Sequence, residues 1–511
     1  MRAKSARKLR RSPVPPEGEL LLGLARSCDD PAGFARIEQT LRQGLDWDLL
    51  LELAHWHGLS PLVWWKLKCF PAGLIPEPVQ RQLQDRFLHA SARHQILTRE
   101  LLDILERFAD CGLRAIPLKG PTLIARLYAG IPLRESTDLD ILVAAEGFSK
   151  AKRLLEELGY LCRPSQTPWQ AAGCVRAAGE IAFTRADGVT VDLHVRLGPP
   201  WFHEPLLHDL LWPRLITVPL GHTRVPSLGD EDLLVYLCYH GGKSLWSGLK
   251  WVCDIDRLVS VSRVDWREIE RRAVACGCWR MVRLGLLLAQ ENLGAPIPPG
   301  LLECPLGDKT LRALARCATD HWFSFDWAPR GFKDSLLRLR LQDLLWRRFL
   351  GLARLLVTPS AGDWSWAALP PQLSFLYYFL RPLRLGCKYT VGRVLPPKPP
   401  GLLPQPPLRE VQEISADSIV VRSGEFNSCR VDGTLVLVNL ADGRSFALDE
   451  AAERTWELLA NPSRVSTVCQ LVSGARAAPD TMQLLRHLAH ERAIKVAAGT
   501  TGADRSPPFA A

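Results

Sequence analysis

Apolar residues recur at helical spacing through the first hundred positions. Trp47, Leu50, Leu51, Leu53, Ala54 and Trp56 form one stripe, and Leu62, Trp64, Trp65 and Leu67 form another. Aromatic residues at such spacing are read as core. A further helix is predicted from about Ile96 to Ala109, ending near Gly112. The period then changes. Arg114 to Leu118 is short and mostly apolar, and Lys119-Gly120-Pro121 follows it. Proline is preorganised for the first helical position, so the pattern predicts a strand, a glycine turn and a helix from Pro121 to Ala129. Thr137 to Val143 alternates as a strand, and Phe148 to Leu158 is an amphipathic helix closed by Gly159. Ile181–Arg185 and Val189–Val195 flank Ala186-Asp187-Gly188, a hairpin signal. The result is an α+β core at about 113–200, set between helical regions at 16–112 and 225–394. In the second region Ser227 is expected to cap a helix from Gly229 to about His240. Helices at Trp251–Leu258 and Trp266–Ala275 follow.

Seven prolines in the twelve residues Pro396–Pro407 mark an extended interdomain linker, taken as 395–412. A small module is predicted at 413–498. Its strands are Ser418–Arg422, Thr434–Leu440 and Arg444–Leu448, with a tight turn at Asp442-Gly443. Asp449 caps a helix from Glu450 to Leu459, and helices at about 464–473 and 479–491 complete it. Residues 499–511 read as a flexible tail.

Composition adds bounds. With 511 residues, 47 % hydrophobic and 23 % charged, the chain is globular and long enough for two or three domains. The net charge is +10, and Arg2, Lys4, Arg7, Lys8, Arg10 and Arg11 crowd a basic tail at 1–15. No apolar stretch follows that tail as in a secretory signal, and no run of about 20 apolar residues suits a membrane span. A cytoplasmic protein without a membrane partner is therefore expected. The fourteen cysteines are scattered without a C-x-x-C pair, and they read as small buried hydrophobes.

The chemistry lies in carboxylates. Asp138 and Asp140 are two apart on a predicted strand, so both project from one face. On the later strand Thr190, Asp192 and His194 share a face. If the strands are neighbours, Asp138, Asp140 and Asp192 converge. Their mutual repulsion would be relieved by a hard divalent cation such as Mg²⁺ or Mn²⁺. Two such ions can clamp the attacking and leaving oxygens of a phosphoryl displacement. Beside them Gly120 allows close backbone approach, and Lys119 and Arg134 can add positive charge toward a triphosphate. His194 can orient Asp192, bind substrate or bind metal. His240 and Lys243 can edge the cleft, and Asp254 and Asp256 read as a helix cap and a surface charge.

This ordered set resembles the uncharacterised nucleotidyltransferase family of the polymerase-β-like superfamily over residues of about 20 to 390. The resemblance rests on Leu118-Lys119-Gly120, Arg134, Asp138-Leu139-Asp140-Ile141-Leu142-Val143 and Val191-Asp192-Leu193-His194. The Asp230–Lys243 helix, Trp251–Asp254, Thr358-Pro359, Asp363-Trp364 and Leu376–Leu385 with Arg381-Pro382 extend it. It implies a metal-dependent enzyme using an NTP, with Asp138, Asp140 and Asp192 as catalytic metal ligands and Lys119, Gly120 and Arg134 at the nucleotide. One departure stands out. The superfamily usually has Gly-Ser or Gly-Gly where this chain has Gly120-Pro121, and proline removes an N–H that would face phosphate.

The C-terminal module resembles the PqqD-like family, whose members bind leader peptides of ribosomally made, modified peptides. Val438-Asn439, Asp442-Gly443, Phe446-Ala447-Leu448-Asp449 and Trp456 carry the likeness, with Leu484, Leu485, Leu488 and Ala489 downstream. A winged-helix-like module with a three-stranded sheet and three helices is implied. The edge strand and last helix would hold a peptide at Arg444, Phe446, Leu448, Leu485 and Leu488. A dense basic helix is lacking, which argues against nucleic acid. The two resemblances together imply a nucleotidyltransferase that modifies a bound precursor peptide, for which lasso-peptide tailoring is a fitting pathway. The alternatives are a non-catalytic peptide adaptor and a transferase acting on a small molecule or a protein.

Overall fold

The computed structural model describes residues 14–27, 30–71, 73–162, 175, 179–197, 211–324, 332–359, 361–367, 369–390, 414–473 and 479–497. The first thirteen residues, the proline-rich linker and the 499–511 tail lie outside them.

Four helices open the chain: α1 (Pro16–Ala25), α2 (Pro31–Leu41), α3 (Trp47–Trp56) and α4 (Ser60–Leu67). Asp46 starts α3 by accepting a hydrogen bond from the Leu49 N–H at 3.0 Å. The apolar stripes read from the sequence bury Leu50, Leu53, Leu62 and Leu67 in one large core, while Trp56 is exposed. The helix expected at 96–109 is the last part of α5 (Glu77–Asp110), which has 34 residues. Its first half escaped notice because Arg81, Gln82, Gln84, Asp85 and Arg86 crowd the spaces between Val79, Leu83 and Phe87.

The α+β core follows: β1 (Ala115–Pro117), α6 (Pro121–Leu127), β2 (Leu139–Val143), α7 (Phe148–Glu157), β3 (Leu161–Cys162), β4 (Glu180–Thr184) and β5 (Thr190–His194). The strands form one sheet in the order β1-β2-β5-β4-β3. Only the β2–β5 pair is parallel, and it sets Asp140 opposite Asp192. Helix α6 ends two residues sooner than expected, where Ala129 and Gly130 take positive φ. Alternation sorts the sheet. Leu139, Ile141, Val143, Val191 and Leu193 join a core with α5 and α7, and Asp140, Asp192 and His194 occupy the opposite face.

A hairpin not foreseen, β6 (Ile216–Leu220) and β7 (Thr223–Ser227), leads to α8 (Asp230–Lys243). Ser227 does not cap that helix. Its hydroxyl accepts from Arg126 Nη1 at 2.8 Å, and Gly229 holds the cap position. Then come α9 (Leu249–Val261), α10 (Trp266–Cys276), α11 (Trp279–Leu293), α12 (Pro299–Gly307), α13 (Lys309–Trp322), α14 (Phe332–Arg340), α15 (Leu345–Val357), α16 (Ala361–Trp366) and α17 (Tyr377–Thr390). Buried His57 joins the two helical regions, with its Nε2 2.9 Å from the Trp322 carbonyl and its Nδ1 accepting from the Leu249 N–H at 3.2 Å.

The C-terminal module contains β8 (Ile419–Arg422), β9 (Asn427–Val431), β10 (Thr434–Val438), β11 (Ser445–Leu448), α18 (Glu450–Leu458), β12 (Ser463–Arg464), α19 (Val465–Ser473), α20 (Pro479–His490) and β13 (Ile494–Ala497). Asp449 caps α18 as expected, accepting from Ala452 at 2.8 Å. In place of one sheet the module has two, β11-β10-β9 and β12-β8-β13. The strands missed were β9, β12 and β13: β12 and β13 are short and pair only with distant β8, whereas β9 pairs with its neighbour β10 across Asp432-Gly433. Alternation makes β10 two-sided. Val436 and Val438 face the α5 core, and Leu435 and Leu437 face the module's own core. The whole is α+β.

The cysteines divide. Cys238, Cys253, Cys276, Cys278, Cys429 and Cys469 are buried as expected, whereas Cys69 and Cys387 are exposed. Among the described residues no helix is long and apolar enough to cross a membrane.

Candidate active site

Parallel pairing of β2 and β5 builds the centre. Asp140 and Asp192 are register partners, and His194 lies two residues further along on the same face. Ligand atoms of Asp140, Asp192 and His194 all lie within 4.8 Å of one another. Asp138 is not in that group. Strand pairing begins only at Leu139, so Asp138 sits just outside the ladder that aligns the others. It remains within electrostatic reach, since burial and then Asp140 raise its pKa.

Asp140 is the hub. Its Oδ2 is 2.9 Å from Lys119 Nζ, and its Oδ1 is 3.0 Å from His194 Nε2. Burial alone would raise its carboxyl, yet Lys119 and His194 hold it well below the ordinary range. Among the described residues Asp192 has no such cationic partner in hydrogen-bond contact. Burial, with Asp140 and Asp138 nearby, raises it to about 6. Burial opposes the Lys119 charge, but Asp140 and Asp138 outweigh it and raise the ammonium pKa. Lys119 also donates to His240 Nε2 at 3.0 Å. Burial, then Lys119 and Lys243, push the His240 pKa well down, which keeps that ring a neutral acceptor. Two carboxylates and an imidazole at this spacing suit a divalent cation, and the carboxylates suit Mg²⁺ or Mn²⁺.

The glycine turn abuts the acids. Gly120 has φ +67, and a Cβ there would lie 3.5 Å from the Asp138 carbonyl oxygen. At this φ an L side chain is strained whatever the space.

Arg134 is placed differently from expectation. Its Nε donates to Asp254 Oδ2 at 2.8 Å in a buried pair, and Tyr128 donates to the other Asp254 oxygen at 2.8 Å. The guanidinium is thus committed to α9, though its charge still acts on Asp138. Asp254 is neither a cap nor on the surface. Asp256 is also buried, and it accepts from the Ser27 N–H at 2.8 Å. Lys243 Nζ is 3.4 Å from Glu180 Oε2, and that oxygen is 3.2 Å from His194 Nδ1.

Glu180 was missed by sequence reasoning although a signal existed. Extending the hairpin by one residue sets Glu180 opposite His194. Lys250 was also missed. Burial, then Arg134, lower its pKa to about 8, and Glu135 and Asp138 lie in its field. Nothing local at the start of α9 marks it.

In the C-terminal module, Leu448, Leu485 and Leu488 are buried in the module's own core and offer no surface to a peptide. They hold the sheet to α18, α19 and α20. Arg444 donates to Asp442 and Glu491 at 2.7 and 2.8 Å. Phe446 is partly exposed, stacked on Phe426 with centroids 5.5 Å apart and meeting His487 edge-on.

Comparison with known proteins agrees with the core. Residues 43–294, about half of the chain, match the family model described as uncharacterised nucleotidyltransferase. The quoted pieces from Thr358 to Leu385 fall outside that match. No curated protein and no solved structure matches the chain. The matched segment holds Gly120, Asp138, Asp140, Asp192 and Asp254 together, and by that similarity the protein is a nucleotidyltransferase.

Proposed function

We propose that the protein is a metal-dependent nucleotidyltransferase of polymerase-β-like type that modifies a ribosomally made precursor peptide, with the leader held by a PqqD-like module at 413–498. The observation that carries the catalytic half is the Asp140–Asp192 register with His194 beside it. Asp140 and Asp192 would hold Mg²⁺ or Mn²⁺, which neutralises charge at a phosphate undergoing displacement. Lys119 brings a cation to the carboxylates from the Gly120 turn, where the triphosphate of an NTP would enter. His194 fixes the orientation of Asp140, and Glu180 in turn steadies His194. Asp138 and Lys250 flank the same space.

Support for the peptide half comes from the module's seat. Its sheet packs on α5 (Arg93 Nη2 donates to the Leu440 carbonyl at 3.3 Å, and Gln95 Nε2 to that of Arg430 at 3.0 Å). A cleft of about 1030 Å³ has Trp64, Trp65 and Phe87 on the transferase side and Val431 and Asp432 on the module side. β11 is an edge of its sheet, with Phe446 and Arg444 as the accessible candidates. Tethering a peptide there raises its effective concentration near the acids.

The test uses the full chain, NTPs labelled separately at the α and γ positions, Mg²⁺ or Mn²⁺ and a precursor peptide. Transfer of the α label to the peptide, abolished by Asp140→Asn, is expected. Equal labelling by the variant removes the catalytic reading. Labelling of other acceptors but never of peptide removes the peptide reading alone.

A further inference from the structure

Two helices beyond the family match, α15 and α17, are amphipathic in an unusual sense, because much of their apolar surface looks outward. On α15, Gly351 and Leu355 face the protein, while Leu345, Trp346 and Phe349 are 75, 60 and 75 % exposed. On α17, Tyr377 and Arg381 face inward, while Tyr378, Phe379 and Leu383 are 45, 68 and 62 % exposed. The two helices pack together, and Arg381 Nε donates to the Leu355 carbonyl at 2.8 Å. An exposed patch of this kind calls for a partner.

The charges around it name the partner. Residues 332–390 contain nine Lys and Arg against three Asp, as read from the sequence. None of the three acids is presented outward. Asp334 is buried, and Asp363 is buried between Arg381 and Arg384 at 2.7 and 2.5 Å. Asp343 accepts from the N–H groups of Trp279 and Arg280 at 2.9 and 2.8 Å. Cations remain at the rim. Arg340 and Arg354 are exposed, while the Arg347 guanidinium lies 5.4 Å from the Trp346 ring with its Nε and Nη1 buried beneath the face. Tryptophan, tyrosine and phenylalanine flanked by arginine is the composition of a helix lying in a membrane interface.

We propose that the α15–α17 face docks the enzyme on an anionic lipid surface, with the aromatic residues entering the headgroup region and the arginines meeting lipid phosphate. Such a face needs no membrane-spanning stretch, which is why a search for apolar runs passes over it. A second copy would bring two arginine rims together, and like charges oppose that pairing. The chain's own basic N-terminal tail, with six cations and no acid in its first twelve residues, is repelled in the same way.

The experiment is co-sedimentation of the full-length protein with phosphatidylcholine vesicles, with and without phosphatidylglycerol, at low and high salt. Binding at least ~10-fold stronger to the anionic vesicles, and weakened by salt, is expected. The Trp346→Glu/Phe349→Glu/Phe379→Glu variant should lose it while keeping its wild-type circular dichroism spectrum. The salt series and Arg340→Glu/Arg354→Glu, which should weaken binding while leaving the aromatic residues in place, give an independent reading if the triple variant misfolds. Equal affinity for both vesicle types overturns the proposal. So does retention of binding by a folded triple variant, or a wild-type dimer that the triple variant converts to monomer.

Discussion

Gly188 lies directly against Ala441: a Cβ on the glycine would come within 2.3 Å of the Ala441 backbone nitrogen. The turn between β4 and β5 therefore touches the turn between β10 and β11 backbone to backbone. Asn427 Nδ2 adds a 3.5 Å contact to the Asp187 carbonyl. Gly188→Ala should loosen the C-terminal module, seen as faster amide exchange in both Ala441–Ser445 and the His89–Gln95 part of α5. Positive φ strains any substitution here, so Gly159→Ala is the control. Its φ is +83 and its nearest neighbour, Arg185 Cδ, is 3.9 Å away. Equal loosening by both would trace the effect to local strain and not to the contact.

The acids should rank by geometry. Asp140→Asn and Asp192→Asn are each expected to lower transfer at least ~100-fold and to abolish Mn²⁺ binding measured by calorimetry. Asp138→Asn, outside the cluster of ligand atoms, should retain measurable Mn²⁺ binding. Intact Mn²⁺ affinity in Asp192→Asn would contradict the site.

The Arg134–Asp254 pair predicts a stability effect separate from catalysis. Asp254 has no exposure, and its removal leaves a buried guanidinium without its partner. Asp254→Ala should destabilise by about 3–5 kcal/mol in urea denaturation, and replacing both residues with apolar ones should recover much of that. A loss under ~1 kcal/mol for Asp254→Ala would show that the pair is solvated in solution.

His57 predicts an acid sensitivity. Its burial lowers the pKa from 6.5 to about 4, with the Trp322 carbonyl opposing. Between those values the unfolded chain binds the proton and the folded chain does not. Stability therefore rises with pH across the window and falls on acidification, by about 3 kcal/mol in all. Urea midpoints between pH 4 and 7 should show this slope, and His57→Gln should flatten it. An unchanged slope would assign the acid sensitivity to other groups.

What the sequence disclosed was local in origin. The Gly120 turn, the β2 alternation, the hairpin around Asp187-Gly188 and the Asp449 cap all arise from neighbours within a few residues, and each is found close to where it was read. What it hid was long-range. Arg134 looked available for a nucleotide because its partner Asp254 is 120 residues away. Leu448, Leu485 and Leu488 looked like a binding face because an apolar strand edge and an apolar helix stripe have the same pattern whether they pack on each other or on a ligand. Asp138 was grouped with Asp140 by alternation, which applies only once the ladder has begun.

Helix α5 packs against α3, α4, α6, α7, β1 and the β9-β10-β11 sheet. At 34 residues it is about 50 Å long. A rod held at so many points cannot melt at one end while the other stays anchored to a separate body. Heating should therefore give one calorimetric transition for the transferase and its appended module, and excising the module should expose a strip around buried Ala92 and Ile96 to proteases.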